Sequence, residues 1–435
     1  MHRGALLACL MALPWAAAAQ EFTTLKGHGG PIMGLAVAPD GQVASASFDN
    51  AVGLWEGRNP RWLDGHEAAV GAVTALAPGV WLSGGDDFAL RLWEDGESHE
   101  LGRHLGKILD IAVSPDGQTV ATASWDGSIG LWIVVKSEGQ PAWNAIRKDL
   151  SDHRSGVNAV AFSADGQKLY SASSDGTIRV WEDGGSTSRV LASNGFAVNE
   201  LVVDSDAGWL AYGAVDGVTR IIDAETGETR GDYTLDRRPI LALDYHAGTR
   251  QLAVGDGEGY IMMIDTGEGR ITRDFRAMQS GPVWALAFSP DGDTIWAGGI
   301  SDVIYGWPVE MLGEFDPAAV PERSFLRDAD TMSNGERQFM RKCSVCHALE
   351  AGPSRRAGPT LHNLFGRRAG TVPGYNYSPT LDGSDIIWTA DTIDALFDQG
   401  PDHYIPGSKM PMQVIAGADD RADLIAFLQD ATAGE

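Results

Sequence analysis

The chain has 435 residues, 43% of them hydrophobic and 21% charged, and a formal net charge of −26. That length allows two or three domains with cores of their own, and the ordinary apolar fraction excludes wholesale disorder. Acidity of this size repels nucleic acid and anionic membrane surfaces, so no nucleic-acid partner is expected.

At the N-terminus a short basic stretch, Met1-His2-Arg3, precedes the apolar run from Ala5 to Leu13. Ala17-Ala18-Ala19 then supplies the small residues that precede a signal-peptidase cut, so residues 1–19 are expected to leave before Gln20. The run is too short to span a bilayer, and no later segment is long and apolar enough, so the mature chain is expected to have no membrane span. The periplasm is the expected location. Cys9 would depart with the leader, leaving Cys343 and Cys346, which one motif described below uses together, so no disulfide and no free thiol are expected.

From residue 20 to 308 the sequence repeats. Segment ends align as Val52-Gly53-Leu54-Trp55, Leu90-Arg91-Leu92-Trp93, Ile129-Gly130-Leu131-Trp132 and Ile178-Arg179-Val180-Trp181. Weaker copies end at Ile222, Ile264 and Trp307, giving intervals of 38, 39, 49, 41, 42 and 43 residues. A period near forty closed by a Trp-ended strand is the signature of a WD-repeat β-propeller, one four-stranded blade per repeat. Seven copies predict seven blades, with Phe22-Thr23-Thr24-Leu25 completing the last one and closing the ring. The long interval predicts an extended hairpin within 134–152. Acids stand six residues before the repeat ends, at Asp49, Asp87, Asp126, Asp175, Asp216 and Glu258.

The pattern resembles the WD-repeat tetrad, in which that acid binds a His linked through a Ser or Thr to the Trp. The resemblance implies His28, Asp49, Ser45 or Ser47, and Trp55, and likewise His153, Asp175, Ser171 or Ser173, and Trp181. Blades five to seven lose the His and most of the Trp, so their turns are expected to be less rigid. His66 and His104 also occupy the tetrad position; His99 and His246 have no partner at ligand spacing, and the propeller shows no nucleophile, phosphate loop or metal cluster. A scaffold that docks another protein is the expected role.

Residues 309–327 read as a linker, and from residue 328 to 435 the texture becomes helix, long loop, helix. Cys343-Ser344-Val345-Cys346-His347 is a haem-attachment motif: two thiols at fixed spacing take the vinyl groups, and the adjacent imidazole takes the iron. One pair of thiols predicts one covalent haem c.

The surrounding residues resemble class I cytochromes c of the mitochondrial and bacterial c2 type. Gly335-Glu336-Arg337-Gln338-Phe339 resembles the N-terminal helix, which crosses the C-terminal helix at Leu424 to Leu428. Gly358-Pro359-Thr360-Leu361-His362 resembles the loop whose Pro carbonyl fixes the axial imidazole, which implies Pro359 as the partner of His347. By the same match Arg367, Tyr377 and Trp388 contact the propionates. Tyr404 to Met410 resembles the methionine loop, which implies Met410 as the sixth ligand and Ser408 as a haem contact, with Met412 and His403 the alternatives. Two departures stand out: Phe397 replaces the usual Tyr near the axial sulfur, and ten basic residues face fifteen acidic ones from Arg327 onward. A small basic rim of Arg341, Lys342, Arg355, Arg356, Arg368 and Lys409 is expected around the haem.

The expected fold is therefore multidomain, an all-β seven-bladed propeller followed by an all-α class I cytochrome c domain. The expected function is electron transfer by one haem with His347 and Met410 bound to iron. The partners would be redox proteins, either membrane respiratory complexes or periplasmic enzymes. Two other arrangements use the same parts: a redox enzyme whose propeller binds a substrate, and an assembly or sensing factor.

Overall fold

The computed structural model describes residues 23–136, 143–237, 239–312, 331–352 and 355–433. The leader at 1–19 and most of the connector at 309–327 lie outside them. Twenty-eight strands, numbered β1 to β28 in chain order, build seven four-stranded antiparallel sheets among the described residues. Six sheets use consecutive strands. The seventh pairs β1 (Thr23–Lys26) with β28 (Val303–Pro308), beside β27 (Thr294–Gly299) and β26 (Val283–Phe288). Leu25 lies opposite Ile304, and both are buried, so the first strand closes the ring as its position in the sequence predicts.

Each blade is held between two neighbours, so its middle strands are apolar on both faces. β3 (Val43–Ser47) is buried at every position, and β4 (Ala51–Glu56) at all but its last. In every blade the innermost strand slips by one residue against the second, for example between Ile32 and Gly34 and between Val283 and Ala285. A bulge repeated at one place adds twist, which a ring of tilted sheets requires. The long third interval lengthens the outer hairpin of blade 3, β12 (Ile129–Lys136) and β13 (Trp143–Leu150).

The tetrads form in blades 1 to 4. His28 Nδ1 lies 2.9 Å from Asp49 and its Nε2 2.8 Å from Ser45 Oγ, which also accepts from Trp55 Nε1 at 2.8 Å. Ser45 is thus the linking hydroxyl; Ser47 instead donates to the Gly30 carbonyl and accepts from Asp49 N–H. The same linkage runs through Ser83, Thr122 and Ser171 in the next three blades. Burial opposes ionisation of Asp126, but bonds from Ser128, from Leu105 N–H and the neighbouring His104 outweigh it and hold the carboxyl down to about 2.

The later blades correct one expectation. The turn acid of blade 6 is Asp256, which is buried and accepts from Glu258 and Tyr260 N–H, while Glu258 itself is exposed. In two of the three blades without the histidine another side chain binds the turn acid. Arg237 binds Asp256 at 2.6 Å and lies 4.6 Å over the Tyr260 ring, and in blade 5 Asn194 reaches Asp216 at 3.2 Å. The turn acids of blades 5 and 6 are thus bound by side chains of other types.

After a 3-10 turn at Val309–Met311, Leu312 is buried against the core of blade 7. Among the described residues the C-terminal domain has four helices: α1 (Asn334–Lys342), α2 (Ala390–Gln399), α3 (Pro401–Tyr404) and α4 (Ala418–Thr432). Ser333 caps α1 by accepting from Glu336 N–H, and Thr389 and Thr392 form a capping box at α2. α1 crosses α4 at Gly335, where any Cβ would overlap the Asp423 carbonyl. Phe339, Leu364, Leu396, Leu424 and Leu428 fill the core beneath that crossing. No helix among the described residues is long and apolar enough to cross a membrane.

Candidate functional site

At the end of α1, Cys343 N–H bonds the Phe339 carbonyl, and the chain coils into two tight turns. Cys346 and His347 both donate backbone N–H to the Cys343 carbonyl, at 3.0 and 2.8 Å. This local winding brings the two thiols and the imidazole to the wall of one cleft. Pro359, Arg367, Tyr377, Trp388, Ser408 and Met410, all singled out from the sequence, line the same cleft.

The two cysteines form no disulfide. Burial pushes the Cys343 thiol up to about 12 and the Cys346 thiol up to about 11. Redox-active and metal-binding thiols are shifted the other way, toward the thiolate. No group of three or more His, Cys, Asp or Glu side chains among the described residues is arranged to hold a metal ion. Neutral sulfurs in an apolar wall are what thioether attachment leaves behind.

His347 Nδ1 lies 2.8 Å from the Pro359 carbonyl. A carbonyl only accepts, so Nδ1 carries the proton and Nε2 keeps its lone pair free for a metal. Gly358 is obligatory beside it, since a Cβ there would overlap the imidazole ring. Burial lowers the pKa of His347, which keeps the ring neutral as iron ligation demands.

Farther along, the cleft is polar. Arg367 donates to the His362 carbonyl at 2.6 Å and to the Thr360 carbonyl at 2.9 Å, which holds its half-buried guanidinium in place. Tyr375 donates to the Ala357 carbonyl at 2.7 Å, and the Tyr377 hydroxyl accepts from Val372 N–H at 3.3 Å. Ser378 also lines the cleft; its hydroxyl is buried without a partner. An orphaned donor beside a guanidinium and two phenols fits the carboxylates of a haem. The sequence reading did not single out Ser378. Its only signal is adjacency to Tyr377.

In the methionine loop, Met410 N–H bonds Ser408 Oγ at 3.1 Å and its half-buried side chain packs on the domain core. Met412 is 61% exposed and, like the exposed His403, is not part of the lining. Phe397 does line it, buried, where the resemblance implies a Tyr.

The expected basic rim is only partly there. Lys342 and Lys409 line the cleft, whereas Arg356 turns inward to the Ser344 carbonyl and Arg368 pairs with Asp385 at 2.8 Å. Arg355 leaves the domain altogether: it pairs with Asp64 of the propeller.

A helical domain with a Cys-x-x-Cys-His turn and a methionine loop sharing one cleft, behind a seven-bladed ring, defines a c-type cytochrome fused to a WD-repeat propeller. Comparison with known proteins agrees. Residues 332–432 match the cytochrome c family, and residues 19–56, 57–94, 97–132 and 144–182 match the WD domain, G-beta repeat. Cytochrome c of Sesamum indicum is 43% identical over 103 residues, 23% of this chain and 91% of that protein. For Nigella damascena the identity is 40% over 106 residues, 24% of this chain and 94% of that cytochrome. Through this domain the chain belongs to the cytochrome c family. The WD40 β-propeller domain of Doa1 matches the fold with a TM-score of 0.55 at 20% identity, covering 66% of this chain and 96% of that one. The C-terminal domain therefore carries covalent haem c for electron transfer, and the propeller serves as a scaffold or partner-binding module.

Proposed function

We propose that this chain is an exported, periplasmic electron carrier with one haem c attached through Cys343 and Cys346 and with His347 and Met410 as its axial ligands. The carrying observation is that one cleft is lined by a histidine whose Nδ1 is already committed and by Met410, the one methionine of its described lining. Bound haem supplies a one-electron couple. Pro359 holds the imidazole plane, and the neutral Met410 sulfur favours ferrous iron, so the potential is comparatively high. Arg367, Tyr377, Trp388 and Ser408 orient the group from its polar side. The propeller docks the redox partner, a membrane respiratory complex or a periplasmic enzyme.

Ligation is the decisive test. Oxidised protein should show the weak charge-transfer band of an iron–thioether bond near the red edge of the visible spectrum. Met410→Ala should abolish it and admit azide, while Met412→Ala should leave it in place. Ready binding of carbon monoxide by the ferrous wild-type protein would show a labile sixth position and overturn the carrier reading.

A further inference from the structure

The haem cleft is not enclosed by the cytochrome domain alone. Phe48 and Asn50 from blade 1, and Glu67, Ala69 and Asp86 from blade 2, also line it. Phe48, Asn50 and Asp86 adjoin the tetrad acids Asp49 and Asp87, and Glu67 and Ala69 follow His66. The same lining holds the propeller acids Glu67 and Asp86, the latter paired with Lys107, and Lys342 and Lys409 of the cytochrome.

Beside this mouth the two domains touch through Arg355, on the loop between the haem motif and Pro359. Its guanidinium lies 4.2 Å from the centroid of the Trp62 ring and pairs with Asp64. The backbones meet as well. A Cβ built on Gly29 would overlap the Arg355 carbonyl, and the three atoms nearest to it all belong to Arg355 and Arg356. Gly29 is itself fixed, because its N–H bonds the tetrad acid Asp49 at 2.8 Å.

We infer that blades 1 and 2 form the outer wall of the haem cleft, and that Arg355 is the positioning residue that keeps this wall closed over the haem edge. The inference rests on the electron-carrier reading. Tunnelling falls steeply with distance, so a covered edge exchanges electrons slowly, and an external redox protein must displace the propeller to reach it. The step itself moves one electron from ferrous to ferric iron, with no bond made or broken. The Arg355–Asp64 pair is partly exposed, so salt screens it and favours the open form.

Full-length holoprotein serves as its own probe. Electron self-exchange is measured from NMR line broadening in ferrous–ferric mixtures, alongside small-angle scattering and the midpoint potential. Gly29→Ala is a wedge: the position has no left-handed φ, and the three atoms nearest the added methyl all belong to the cytochrome backbone. Asp64→Arg places a like charge against Arg355. Both variants should scatter as larger particles, exchange at least tenfold faster at low salt, and show a lower potential as water reaches the haem edge. High salt should bring the wild type toward their rate. The inference is overturned if both variants scatter and exchange like the wild type, or if they expand without faster exchange and without a fall in potential. Loss of a reversible one-electron couple in the wild type would instead overturn the carrier reading beneath it.

Discussion

Gly335→Ala separates two physical effects that act in opposite directions. In an isolated helix the change is favourable by about 0.5–1 kcal/mol, because glycine has more backbone freedom to lose. At Gly335 the new Cβ would overlap the Asp423 carbonyl and lie 2.8 Å from Phe427 Cβ. The neighbours there are the backbone of α4 and the root of a side chain, so neither moves aside cheaply. Prising the helices apart also strains the Asn334 bonds to Asp420 and Asp423, at 2.8 and 2.7 Å, and the Phe339–Phe427 contact at 5.5 Å. Overpacking of this kind costs about 1–3 kcal/mol, which exceeds the propensity gain. The net expectation is a loss of about 1–2 kcal/mol, and in a domain near a hundred residues each kcal/mol lowers the midpoint by about 4–8 °C. Urea and thermal unfolding of holoprotein, followed at the haem absorbance band, reads this domain separately from the propeller. Unchanged or increased stability would refute the close-crossing argument.

Three further outcomes follow from the same structure. Ser45→Ala should destabilise the propeller by about 2–3 kcal/mol in calorimetry, because it strands the buried Trp55 N–H and His28 Nε2 together; a loss near zero would mean the tetrad is not a unit. Asp126 is held down to about 2, and Asp87 and Asp175 are also lowered, so the unfolded chain takes up protons first. The stability these acids contribute is present above about pH 4 and lost as pH falls toward 2, and a propeller midpoint that stays level across that window would contradict the assignment. A fragment of residues 328–435 should fold with its haem, because the buried core from Phe339 to Leu428 uses only its own residues; insoluble protein despite working haem attachment would show otherwise.

The sequence makes the ring and the haem motif legible for different reasons. Blade count follows from a period, and closure by β1 follows from one spare strand at the start. Cys343 to His347 and Tyr404 to Met410 are contiguous, so their chemistry is local and visible. Ser45 and Ser47 are not separable by pattern: they lie two apart on one strand and share a face, and only the reach of Trp55 decides between them. Counting back from Ile264 places the blade 6 acid at Glu258, but the turn is organised from Asp256. Arg237 in the histidine's role is invisible for a similar reason, because a different residue type does the same work from a different position. The propeller's share of the haem cleft has no pattern at all, since Asp64 and Arg355 are 291 residues apart and lie in different domains.

The placement of the tetrads gives the fusion its logic. All four stand in blades 1 to 4, and the cytochrome rests on blades 1 and 2. In blade 1 the acid that orients His28 also binds Gly29 N–H, so one carboxylate fixes both the interior of the blade and the backbone that meets Arg355. Trp62 joins the same assembly: its ring packs edge-on to His28 at 4.7 Å while Arg355 stacks on it from the cytochrome side. A contact surface built on such a network loses little conformational freedom when the cytochrome settles on it, because its side chains are already ordered. Blades 5 and 6 hold their turns with Asn194 and Arg237 and, among the described residues, do not line the haem cleft, so a different clamp suffices there. The two blades that meet the haem domain both carry the full tetrad, as expected if the ring's task includes holding that domain in register.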